Sequence, residues 1–113
     1  MATIEDYRFG RIVIDGVEHR RDVIILPDRV VGNWWRKDGH GLVLDDLAEV
    51  LDDIPQRLLI GNGHDSQLRP DPDAVAALEQ RGITVEVLPT RDAVGRYATL
   101  NPAGTAAALH LTC

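Results

Sequence analysis

The apolar residues of the first third of the chain fall into β-prone runs, and those of the remainder alternate between helical and strand-like spacing. Tyr7 to Ile14 and Val17 to Leu26 are separated by Asp15-Gly16, a dipeptide that readily adopts the positive φ angles of a two-residue hairpin turn. Pro27-Asp28 breaks the second run. Val30-Val31-Gly32-Asn33-Trp34-Trp35 then predicts a third strand with a bulge or weak point at Gly32.

The period changes at Asp45. Leu47, Val50, Leu51 and Ile54 recur at i, i+3, i+4 and i+7, predicting a helix capped by Asp45 and ended by Pro55. Leu58-Leu59-Ile60, closed by Gly61-Asn62-Gly63, predicts a central strand covered on both faces. Asp71 before Pro72 starts a second helix that Gly82 stops. Ile83, Val85 and Val87 alternate with Thr84, Glu86 and Leu88, as in a strand buried mainly on one face. Thr90 is read as the cap of a third helix with Val94, Tyr97 and Ala98 on one face and Asn101-Pro102 at its end; Thr105 to Thr112 is a last strand.

The resulting order is hairpin, β, α, β, α, β, α, β, whose alternating later half favours parallel strands joined by right-handed crossovers. The fold class expected is α/β: a single domain over residues 1–113, with helices packed on a mixed sheet and an N-terminal β-hairpin.

Composition narrows the function classes. With 113 residues, 44% of them hydrophobic and 27% charged, the chain can bury roughly two-thirds of its extended surface. Its net charge of −6 repels phosphate backbones, and the only basic run, Arg20-Arg21, is followed directly by Asp22; nucleic-acid binding is not expected. Apolar runs such as Val23 to Leu26 fall far short of the ~20 residues a membrane span needs. The residues after Met1 have neither a basic nor an apolar leader pattern, so a cytoplasmic location is expected. A single cysteine, Cys113, rules out an internal disulfide.

No recognisable catalytic set stands out. Gly61-Asn62-Gly63 lacks the third glycine of a dinucleotide loop, Ser66 standing in its place, and the next helix starts only near Pro72. His19, His40, His64 and His110 have no ligand spacing, so neither a metal nor a cofactor is expected. The only serine, Ser66, sits in no nucleophile elbow. Cys113 leaves open a redox role or that of a small hydrophobe. The most unusual segment is Trp34-Trp35-Arg36-Lys37-Asp38-Gly39-His40. In a strand its two indoles face opposite ways, and Arg36 and His40 in the following loop could line an anion-attracting cleft. A core indole, an indole covering a sheet face and a structural Arg36 salt bridge form the alternative reading.

Tyr7-x-Phe9-Gly10-x-Ile12-x-Ile14-Asp15-Gly16, Asp22-Val23-Ile24-Ile25, Trp35-Arg36-x-x-Gly39-His40, Leu59-Ile60-Gly61-x-Gly63, Pro89-Thr90 with Ala93, and His110-Leu111-Thr112-Cys113 occur in this order along nearly the whole chain. Together they resemble the adipogenesis-associated Mth-domain family, a family of unknown function related to a mitochondrial respiratory complex I assembly factor. The resemblance implies a three-layer α/β domain with a mixed sheet and no established reaction or cofactor. The chain departs from the family pattern at Asn62, where threonine is usual, and at Ala98 after Tyr97, where asparagine is frequent.

Two functions are expected. One is a protein-interaction or assembly scaffold acting through Trp34-Trp35, with its oligomeric state open. The other is a small-molecule sensor or enzyme whose pocket lies where Gly61, Asn62 and Gly63 meet Pro89-Thr90 at the strand ends, with Arg36, His40 or His110 nearby.

Overall fold

The Asp15-Gly16 turn forms as its dipeptide dictates, with φ of 51° and 79°. It joins β2 (Arg11–Ile14) to β3 (Val17–His19), while β1 (Ile4–Arg8) pairs with the other side of β2 to complete a three-stranded antiparallel sheet. The run expected as one strand from Tyr7 to Ile14 therefore folds back at Phe9-Gly10, where Gly10 has φ 75°. The run from Val17 to Leu26 also divides, because Arg20-Arg21 carries the chain from one sheet to another.

The remaining strands are β4 (Val23–Ile25), β5 (Val30–Val31), β6 (Gly41–Leu42), β7 (Arg57–Gly61), β8 (Arg69–Pro70), β9 (Thr84–Leu88) and β10 (Thr105–Leu109), with helices α1 (Pro72–Gln80) and α2 (Thr90–Ala98). This computed structural model describes residues 2–113. The main sheet has the order β5-β4-β10-β7-β9 and is mixed: β9, β7 and β10 run parallel, and β4 and β5 add antiparallel. A short parallel pair, β6-β8, stands apart from it.

Alternation along the inner strands separates two apolar layers. Ile24, Leu58, Ile60, Ala106 and Ala108 face α1, through Ala74 and Leu78, together with Trp34, Leu47, Val50 and Ile54. Val23, Ile25, Leu59, Ala107 and Leu109 face α2, through Ala93 and Tyr97, together with Ile12 and Ile14 of the small sheet. Three consecutive alanines in β10 leave room for both layers to close on the sheet centre. The architecture is the three-layer α/β fold with a mixed sheet, β10 being its middle strand and β7 one place off centre.

Several local expectations change. Leu47, Val50 and Ile54 are buried, but residues 45–54 form two 3-10 turns, Leu44–Leu47 and Leu51–Asp53, rather than an α-helix. The segment is rich in aspartate, a poor helix former, and Asp46 turns its carboxylate back to accept from the Val43 and Lys37 N–H groups. Asp45 is not the cap; Val43 occupies that position. The third strand stops at Val31, because Asn33 takes the left-handed region at φ 53°. β9 is an edge strand, so Val87 remains exposed. Asp71 does cap α1, accepting from Asp73 N–H, and Gly82 follows that helix at φ 85°. Thr90 is not a cap: Pro89 precedes α2, and the buried face of that helix is Thr90, Ala93 and Tyr97, with Ala98 exposed. The last strand ends at Leu109 rather than Thr112. Among the described residues no helix is long and apolar enough to cross a membrane.

Candidate functional site

Sheet register brings the site together. β4 and β10 pair antiparallel with Val23 opposite Leu109, so one step beyond that pair Asp22 faces His110. Asp22 Oδ2 lies 2.8 Å from His110 Nδ1, and its Oδ1 accepts from Leu111 N–H at 2.8 Å. The Asp22 carbonyl accepts from Trp34 N–H at 2.8 Å, which holds the following loop against the same end of the sheet. From that loop Arg36 donates through Nη1 to Asp22 Oδ2 at 2.6 Å and through Nη2 to the Gly39 carbonyl at 3.1 Å.

The result is a buried Asp22–Arg36–His110 cluster, with Arg36 only 8% and His110 6% exposed. His110 Nδ1 sits between Asp22 Oδ2, which can only accept, and Arg36 Nη2, which can only donate, at 2.8 and 3.1 Å. Its Nε2 and Arg36 Nε have no hydrogen-bond partner among the described residues. Burial raises the Asp22 pKa, but hydrogen bonds from His110, Leu111 N–H and Arg36 outweigh it and hold the carboxyl below its ordinary value. The Arg36 guanidinium stacks 4.8 Å over the Trp34 ring, and Trp34 Nε1 donates to the Asp46 carbonyl at 2.9 Å. Trp34 thus belongs to the core at 9% exposure, whereas its neighbour Trp35 is 74% exposed. One indole is buried and the other exposed, although irregular chain after Asn33 and not a strand carries them.

Two depressions share Trp35 in their linings. An open cleft of about 650 Å³ is lined by Arg20, Arg21, Asp22, Arg36, Lys37 and His110 among others. A smaller hollow of about 270 Å³ carries Asp45, Asp46 and Glu49 over Ile24 and Val50. Lys37 and Trp35 border both.

The remaining expected site residues lie elsewhere or are engaged differently. His40 is exposed, its ring edge-on to His110 at 6.4 Å between centroids, outside the ion cluster. Gly61, Asn62, Gly63 and Thr90 do meet, but the corner is filled. Thr90 Oγ1 accepts from Gly63 N–H at 2.8 Å and donates to the His110 carbonyl at 2.6 Å. A Cβ on Gly63 would lie 2.4 Å from the Cys113 carbonyl carbon, and one on Gly61 would lie 2.9 Å from Thr90 Oγ1. His64 and Gln67 N–H groups donate to the Thr112 and Cys113 carbonyls. The chain's own segment occupies the strand-end crevice, so the expected pocket divides: Arg36 and His110 line the open cleft, and the glycine turn is packed shut.

Asp22, the hub, stands in the sequence as the residue ending the basic run and opening the Asp22-Val23-Ile24-Ile25 motif, with no site role expected of it. The signal that could have found it is positional: an aspartate just before one buried strand and a histidine just after its antiparallel neighbour. Among the described residues no group of three or more His, Cys, Asp or Glu is placed to hold a metal ion.

Residues 4–112 match the family described as "Protein of unknown function (DUF498/DUF598)". The chain belongs to that family. Its fold is shared by the solved structure described as MT938, 30% identical over 100% of each chain with a TM-score of 0.78. A conserved hypothetical protein, PH1505, from Pyrococcus horikoshii is 28% identical, over 98% of this chain and 99% of that one, with a TM-score of 0.83. A Bordetella pertussis protein described as a Mth938-like domain matches in fold at a TM-score of 0.79, with 20% identity over 97% of this chain and 85% of its own. This member of the DUF498/DUF598 family thus has a Mth938-like fold, and it carries its ion cluster where the middle strand β10 ends, with the exposed indole lining the adjoining cleft.

Proposed function

We propose that the chain is a protein-interaction or assembly module whose docking face is the Trp34-Trp35 loop. One observation carries this reading: Trp35 stands 74% exposed on a loop fastened from beneath by the Arg36–Asp22 pair, the Trp34 N–H to Asp22 bond and the Trp34 indole to Asp46 bond. Burying most of an indole of ~200 Å² removes enough apolar surface to contribute up to about 4 kcal/mol. A rigid aromatic beside a charged rim is what interface anchors require, because little conformational freedom is lost on docking.

The test is recovery of complexes from the native host. Wild type should retain a stable partner that Trp35→Ala loses, with the variant's melting temperature unchanged. Capture of the same partner by Trp35→Ala at equal strength would exclude this face.

A second reading, binding of a small polar molecule in the open cleft, is favoured by the unpartnered Arg36 Nε and His110 Nε2. It predicts a raised melting temperature with a carboxylate or phosphate metabolite in wild type and none in Arg36→Met measured against its own baseline. An unresponsive wild type across such ligands would remove it.

A further inference from the structure

The partner's chemistry can be inferred from the charge laid out around Trp35, a step that rests on the docking reading above. The chain carries a net charge of −6, yet the cleft beside Trp35 gathers four cationic side chains, Arg20, Arg21, Arg36 and Lys37, against the single carboxylate of Asp22. These cations are not equally free. Arg36 is committed to Asp22 and Gly39, and Arg20 is held by Glu18 at 2.6 Å. Arg21 is exposed and makes no ion pair among the described residues, while Lys37 has only a long contact of 3.6 Å to Asp45 in open solvent. Exposed pairs of that kind hold their partners weakly.

We propose that this cleft receives an acidic segment of a partner protein, its carboxylates meeting Arg21 and Lys37 while an apolar side chain covers the Trp35 ring. Charge complementarity decides the polarity of docking. Asp45, Asp46 and Glu49 of the adjoining hollow repel the same segment, which directs it toward Arg21 and sets its register. Because the chain outside the cleft carries net negative charge, misplaced encounters are disfavoured and the basic cleft steers the productive one.

The experiment uses the full chain labelled with nitrogen-15 and, as the probe, a hexapeptide of five glutamates and one leucine, at low and at physiological salt. Binding should shift the Trp35 indole and the Arg21 and Lys37 amides, weaken with salt, and fall about tenfold in Arg21→Glu/Lys37→Glu. Both positions are exposed, and unchanged shifts of core amides confirm that the variant folds. The control Arg8→Glu/Arg81→Glu alters net charge equally at exposed sites outside the cleft and should change affinity less than about twofold. Absence of binding, or equal losses in both double variants, overturns the proposal. Free glutamate or inorganic phosphate giving the same shifts with equal affinity also overturns it, in favour of a small-oxyanion site. The docking reading fails separately: a host complex that needs Trp35 but tolerates Arg21→Glu/Lys37→Glu keeps that reading and removes only the acidic segment.

Discussion

Asp22 joins what the chain keeps apart: the loop bearing both tryptophans and the segment after β10 each fasten to it. Asp22→Asn would leave Arg36 buried without its counter-charge, and removing one member of a buried pair is far more costly than never having built it. The expected loss is about 3 kcal/mol at neutral pH, read from urea unfolding. The same measurement against pH isolates the cause. The Asp22 carboxyl is held below its ordinary value in the folded chain. Its contribution is therefore complete above the ordinary carboxylate range near ~4 and lost as pH falls through the lower folded value. Wild type should lose more stability than Asp22→Asn on acidification below about pH 4; parallel curves would remove Asp22 from this role. That the two indoles would part was expected from their adjacency in a strand, but which one is buried was not, and the strand itself ends at Val31. Asp22 was not readable, because its importance comes from the register of strands more than eighty positions apart in sequence, and no local pattern encodes that pairing.

At the scale of elements, burial was legible where period was not. Leu47, Val50 and Ile54 reach the core as their spacing demands, yet Asp46 takes two backbone N–H groups with its carboxylate and the aspartate-rich segment coils into 3-10 turns. Thr90 shows the same limit. It has the chemistry of a helix cap, but its hydroxyl bridges Gly63 N–H and the His110 carbonyl, tying α2 to the ends of β7 and β10. Thr90→Val keeps the shape and removes both bonds, leaving a buried N–H and carbonyl unpaired, for an expected cost of about 2 kcal/mol; Thr90→Ser should recover at least half of it. Gly63→Ala should be worse than either, since φ is 108° and the added methyl meets the Cys113 backbone. Thermal unfolding of the three variants ranks them directly, and a stable Gly63→Ala would mean that the strand-end corner is not closed.

The whole molecule is a sheet insulated on both faces and chemically distinctive at the end where β10 finishes and β4 begins. Alternation along β4, β7 and β10 assigns each side chain to one of two apolar layers, which is why the fold class could be read from apolar spacing. The cleft could not, because Arg20 and Arg21 converge with Arg36 and Lys37 only after the chain passes between sheets. The exposure difference between the indoles gives a simple check on this arrangement. In Trp34→Phe the remaining Trp35 should emit like indole in water and be strongly quenched by acrylamide, whereas in Trp35→Phe the remaining Trp34 should be shielded. Equal quenching of the two would contradict the geometry. The central claim, that the Trp35 face docks a partner, is tested most directly by photo-crosslinking in the native host, with a photoreactive residue placed at position 35 or, as a remote comparison, at position 8. Capture of one protein from position 35 alone, abolished by Arg21→Glu/Lys37→Glu, is the predicted result; identical products from both positions would contradict it.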